Sequence, residues 1–102
     1  MIHVIATIEL APGTRAAFLA EFRKVIAPVR GEAGCIEYGP AIDVESGLSA
    51  QVRIGDDRVA IIEKWESMEA LRAHLVAPHM VAYRATVRDY VVGSELRILA
   101  PA

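Results

Sequence analysis

The chain has 102 residues, the size of one domain spanning residues 1–102. Hydrophobic residues make up 54% and charged residues 24%, an apolar share above that of an ordinary soluble domain, yet no run approaches the ~18 apolar residues of a membrane span. The surplus therefore points to a subunit interface or a ligand cavity, while a net charge of −2 with scattered arginines excludes the basic stripe of a nucleic-acid binder.

The opening MIHVIATIEL carries neither a basic region nor a small-residue cleavage site, so a cytoplasmic location is expected. Ile2, Val4, Ala6, Ile8 and Leu10 alternate with His3, Ile5, Thr7 and Glu9. That period of two predicts a strand, and apolar residues on both faces predict cover on both sides. Ala11-Pro12-Gly13-Thr14 breaks it and offers Thr14 as a helix N-cap. Phe18, Phe22, Val25, Ile26 and Val29 then fall on one stripe of an amphipathic helix. Pro28 is expected to end or bend that helix, with Gly31 and Gly34 marking its exit.

A second strand is expected over Cys35–Val44, then a turn at Glu45-Ser46-Gly47 and a short extended piece, Leu48–Ile54. After a turn at Gly55-Asp56-Asp57, Val59–Trp65 reads as a strand. Val59, Ile61, Glu63 and Trp65 share one face, and Ala60, Ile62 and Lys64 the other. Ser67 caps a helix with Leu71 and Leu75 on its apolar side. Pro78 suits the first turn of a further helical segment carrying Tyr83 and Val87. Gly93 is expected to end it, and Glu95–Leu99 is the last strand. Cys35, the sole cysteine, excludes an internal disulfide and reads as a small buried hydrophobe.

Strand, helix, strand, strand, helix, strand is the ferredoxin-like α+β order, an antiparallel sheet with helices on one face. Ile5, Trp65, one of Ile61 and Ile62, and one of Ile98 and Leu99 would crowd the other face. The economical cover is a second copy of the sheet, giving a two-fold dimeric α+β barrel.

The chemistry-bearing residues concentrate between Ile61 and Tyr83. Glu63 alternates in phase with Ile61 and Trp65, so it should point inward, as a proton acceptor or as a structural carboxylate. Burial beside an indole raises a carboxyl's pKa unless a partner compensates. Trp65 offers a flat face and one N–H, for a ligand or for the core. His74 and His79 titrate near neutral pH and suit proton removal from a phenol-like hydroxyl; alternatively they pack as ordinary helix residues. Their H-x4-H spacing, with Pro78 between them, does not match a helical metal pair, so no metal is expected. No glycine-rich phosphate cradle, G-x-S-x-G or paired-cysteine motif occurs, so flavin and nicotinamide chemistry of the usual kinds is not expected.

Several segments together resemble the antibiotic-biosynthesis monooxygenase superfamily, and within it the bacterial quinol monooxygenases. They are Pro12-Gly13 after the first strand, Gly34-Cys35, Glu63-Lys64-Trp65-Glu66-Ser67, Ala73-His74-Leu75, Pro78-His79-Met80 and the closing Leu96-Arg97-Ile98-Leu99-Ala100-Pro101. The resemblance implies a homodimer that oxidises a quinol-type aromatic with O₂ and uses no flavin, haem or metal. It assigns catalytic roles to His74, His79 and Glu63, and substrate binding to Trp65, Tyr83, Met80 and Thr7. The same fold serves three alternatives. Haem-degrading members match at Trp65 and His74 but carry Asn where this chain has Thr7. Phospho-sugar-like isomerases share a helix histidine and a Pro-His pair, but would want clustered cations. A non-catalytic small-molecule-binding dimer is the third.

Overall fold

The computed structural model describes all 102 residues. Alternating apolar residues build β1 (Ile2–Leu10), and the Phe18–Val29 stripe builds α1 (Arg15–Arg30). There follow β2 (Cys35–Ala41), β3 (Arg58–Trp65), α2 (Met68–Leu75), α3 (Pro78–Val87) and β4 (Val91–Leu99). The strands form one sheet in the order β2-β3-β1-β4, with every neighbouring pair antiparallel. This is the expected ferredoxin-like α+β arrangement. No helix is long and apolar enough to cross a membrane.

Register decides what faces what. Val4 pairs with Glu63 and Ile98, and Ala6 with Ile61 and Leu96, so these side chains share the helix-covered face. Phe18, Phe22, Val25 and Val29 of α1 are buried in one core with Val4, Ala6, Val59, Ile61 and Trp65. On the opposite face Ile5 lies between Ile62 and Arg97, and His3 between Lys64 and Leu99. The open face thus holds Ile5, Ile62 and Leu99. Trp65, expected among them, is instead fully buried beneath the helices.

The sequence-based boundaries change in four places. Pro28 neither ends nor interrupts α1, which runs on to Arg30; near a helix end only one ladder bond is lost to its missing N–H. Thr14 occupies the N-cap position, but its hydroxyl donates back to the Ala11 carbonyl at 2.7 Å. Strand β2 stops at Ala41, and no strand forms over Leu48–Ile54. There the Asp43 carboxylate accepts the N–H groups of Ile54 and Gly55, each at 2.9 Å, and closes the loop without a ladder. Gly93 lies inside β4 opposite Glu9 and does not end the preceding helix, because the strand begins at Val91.

Candidate active site

Strand alternation puts Glu63 and Trp65 side by side on the helix face of β3. The Trp65 indole N–H donates to Glu63 Oε1 at 2.9 Å. Helix α2 then drops His74 onto this pair. Ser67 starts the helix by accepting the Ala70 N–H at 3.2 Å, and Leu71 and His74, three apart, form its buried side. The His74 ring centroid lies 4.6 Å from that of Trp65 and 5.4 Å from that of Tyr38, in an edge arrangement with the latter. Only 2% of His74 is exposed.

Close approach of α2 depends on Gly34. Its φ of +83° lies in the region that favours glycine, and a Cβ there would sit 2.6 Å from Ala70 Cβ. The Gly34 carbonyl accepts the Glu66 N–H at 2.8 Å, tying the turn after α1 to the entry of α2. That turn carries Glu32 to the far side of the His74 ring, where Oε2 is 3.0 Å from Nδ1. The same oxygen is 2.7 Å from Nε2 of His79 on α3. With Nδ1 committed to Glu32, Nε2 is the His74 nitrogen that faces Glu63, 4.0 Å from its Oε1. Glu32 was not among the sequence-based candidates. Its one local signal is an acid in the Gly31-Glu32-Ala33-Gly34 helix exit, ahead of any partner by more than forty residues of chain.

Burial dominates the electrostatics. It raises the Glu63 carboxyl to about 7, with Trp65 pulling down and Glu32 pushing up. Burial lowers His74; Glu32 opposes that, whereas Arg84 and His79 add to it. Two groups are thereby moved toward each other, the acid upward and the base downward. Burial also raises the Tyr38 and Tyr83 hydroxyls, which stay neutral phenols, and with help from Glu32 and Glu63 it raises the Cys35 thiol.

A cavity of about 430 Å³ opens from this cluster between the sheet and α3. Its walls are largely apolar, including Phe22, Ile61, Met80 and Leu96; Glu63, His74, Tyr38 and Tyr83 supply polar points, and Arg84, Arg88, Ser94 and Glu95 also line it. Such a combination of apolar wall and few convergent polar groups is the usual form of a small-molecule site. Of the sequence-based candidates, Glu63, His74, Met80 and Tyr83 line it. Three do not. Trp65 is sealed behind His74 and Glu63, so it cannot stack on a ligand without moving. His79 stands outside the cavity, in a shallow depression with Glu21 and Lys24, and reaches the cluster only through Glu32. Thr7 points to the opposite face of the sheet, into a polar hollow with Glu9, Arg53 and Arg97, because odd-numbered residues of β1 face away from the helices. Glu32 takes up His74 Nδ1 and His79 Nε2, and no cluster of these residue types is arranged as a metal-ligand set.

The family model for antibiotic biosynthesis monooxygenase matches residues 1–86. The chain is 42% identical to "Probable quinol monooxygenase YgiN" of Escherichia coli (strain K12), over 99% of its own length and 98% of the relative's. Among solved structures it is similar to PA3566 from Pseudomonas aeruginosa, with a TM-score of 0.81 at 28% identity, covering 99% of this chain and 93% of that one. It is also similar to Rv0793 from Mycobacterium tuberculosis, with a TM-score of 0.79 at 27% identity, covering 99% and 94%.

Proposed function

The chain belongs to the antibiotic biosynthesis monooxygenase family and is a monooxygenase; from that premise we propose that it oxidises a quinol-type aromatic directly with O₂. The observation that carries this reading is the pair of His74 Nε2 and Glu63, 4.0 Å apart at the inner end of an apolar cavity. A ring hydroxyl fits between them, donating to His74 and accepting from the protonated Glu63 carboxyl. The relative YgiN carries the name of a quinol monooxygenase, which agrees in substrate class.

The chemistry runs as follows. Neutral His74 takes the hydroxyl proton as general base, while Glu63 and the Tyr38 and Tyr83 side of the cavity hold the resulting anion. An electron-rich quinol anion passes one electron to O₂, which relieves the spin restriction on direct reaction. The radical pair recombines at a ring carbon to a peroxide. Proton return from His74 gives the hydroperoxide; the ring C–H at that carbon then gives up its proton, its electron pair forms the new C=O, and the O–O bond breaks with the distal oxygen leaving as water. One oxygen atom stays on the ring, the other leaves as water, and the ring is left as an oxygenated quinone. The substrate supplies all the electrons, so no flavin, haem or metal is required. The apolar wall keeps bulk water from the charged intermediates.

The open sheet face with Ile5 and Ile62 supports a homodimer in which two sheets cover each other.

Oxygen uptake by metal-stripped protein with a reduced naphthoquinol tests the reading. The expected result is enzyme-dependent uptake and a product carrying one atom of ¹⁸O from ¹⁸O₂. Uptake at the background rate for every quinol tried, together with a tight one-to-one haem complex, would transfer the assignment to haem degradation. Turnover of a phosphorylated keto-sugar instead would make it an isomerase.

A further inference from the structure

One oxygen of Glu32 meets two histidines from two different helices, at 3.0 Å from Nδ1 of His74 and 2.7 Å from Nε2 of His79. A carboxylate only accepts, so each facing nitrogen directs its proton toward it. For His74 this selects the Nδ1–H form and leaves the Nε2 lone pair facing Glu63 and the cavity. The surroundings of the ring offer no other means of doing so. Tyr38 on β2 and Trp65 on β3 pack on it through their rings. Glu63 on β3 lies on the Nε2 side, and Arg84 and His79 on α3 disfavour a charged ring. Glu32 is the group that favours one. His79, about one-third exposed, is the outer end of the chain of contacts.

We propose that Glu32 is the positioning residue of the oxidation: it selects the tautomer of His74 that can accept the substrate proton, and His79 holds Glu32 in that place. The proposal rests on His74 acting as the base. It adds to the reaction a residue that touches neither substrate nor O₂ and works through the imidazole it orients.

Two measurements on the full chain test it. Long-range ¹H–¹⁵N spectra of the wild-type protein near neutral pH read the tautomer directly. The expected result is a His74 with an unprotonated Nε2 and a protonated Nδ1; the reverse tautomer overturns the proposal, whatever the substrate. The second measurement is the pH profile of quinol oxidation by Glu32→Gln and His79→Gln. Glu32→Gln is expected to lower kcat by ~10–100-fold. KM should stay within about threefold, since binding contacts are untouched. Loss of the carboxylate also moves the acidic limb to lower pH, because the charge that favours the imidazolium is gone. His79→Gln retains a donor toward Glu32 and is expected to lose less than about fivefold, with the limb moved little. An unchanged kcat and an unmoved limb in Glu32→Gln would make the contact a structural ion pair and overturn the proposal. If Glu32→Gln does not fold, the wild-type spectrum decides alone. Absence of quinol turnover in the wild type overturns the substrate reading but leaves the tautomer to be read.

Discussion

The indole N–H of Trp65 donates to Oε1 of Glu63, two residues back along the same face of β3. Both side chains are buried, so this bond is the main compensation that the carboxyl receives against loss of water. Trp65→Phe removes that donor and leaves a gap beside His74. Its first effect is on stability, a loss of about 2–3 kcal/mol from the cavity and the unpaired carboxyl. Its second is on the pH profile: without the N–H the Glu63 pKa rises further, so the basic limb of kcat/KM moves to higher pH. Urea unfolding and a pH series check the two effects separately. A large rise in KM with unchanged stability would instead revive a stacking role for the indole.

Glu63 gives the clearest pH dependence. Its pKa goes from 4.5 to about 7 on folding, so the folded state binds this proton more tightly than the unfolded state. The contribution to stability is therefore fully present below about 4.5 and is lost as pH rises through about 7. The shift corresponds to roughly 3 kcal/mol as an upper bound. Glu63→Gln, which cannot ionise, should gain stability over wild type at pH 8 and show no such gain at pH 4. Denaturant midpoints at the two pH values make the comparison. In turnover, wild type should be most active on the acidic side of 7, bounded above by ionisation of Glu63 and below by protonation of His74. Glu63→Gln should lose the basic limb and keep the acidic one.

Most of this site was legible as parts and not as an assembly. The phase of β3 placed Glu63 inside, and the spacing of Leu71 and His74 is that of one helix face. Two things required three dimensions. The face taken by Thr7 follows from which side of β1 the helices cover, and apolar residues on both faces of that strand left it open. Glu32 meets His74 and His79 only because the Gly31–Gly34 turn folds against α2, a contact across more than forty residues that no local pattern encodes. Trp65 was assigned a ligand-facing role because it is the one tryptophan among titratable groups. Its ring fills the core because His74 closes over it.

Gly34 holds that assembly together. A side chain there must accept a left-handed φ, at about 1–2 kcal/mol, and must push aside Ala70, whose Cβ would be 2.6 Å away. Overpacking of this kind adds about 1–3 kcal/mol. Gly34→Ala should therefore unfold at markedly lower denaturant. Because α2 carries His74, turnover should fall further than the folded fraction does. Activity that merely tracks the folded fraction would show that α2 relaxes without disturbing the His74–Glu32 contact.

The open sheet face bears on assembly. Ile62 sits at its centre, paired with Ile5 and Gly39. A charge there has no partner in a face-to-face dimer and costs little on a solvated surface. Ile62→Asp should elute as a monomer in size-exclusion chromatography with light scattering, whereas wild type is expected to elute as a dimer. A dimer that persists in the variant would place the interface elsewhere.

The decisive substitution is at His74. Alanine is a poor choice, because His74 is 2% exposed and its removal empties the space between Trp65 and Tyr38. His74→Gln keeps much of the volume and can hydrogen-bond to Glu32, but cannot take a proton near neutral pH. If His74 is the general base, kcat for quinol oxidation should fall by ~10²–10⁴-fold. The deficit should also depend on the substrate. A quinol bearing an electron-withdrawing group loses its proton unaided more readily, so it has less need of a base. Across a series of quinols of increasing hydroxyl acidity, the ratio of wild-type to variant rates should shrink steadily. Oxygen uptake at one pH over four or five such quinols measures this. A ratio that stays constant across the series would mean that His74 positions the ring without taking its proton, and the base would then be sought at Glu63.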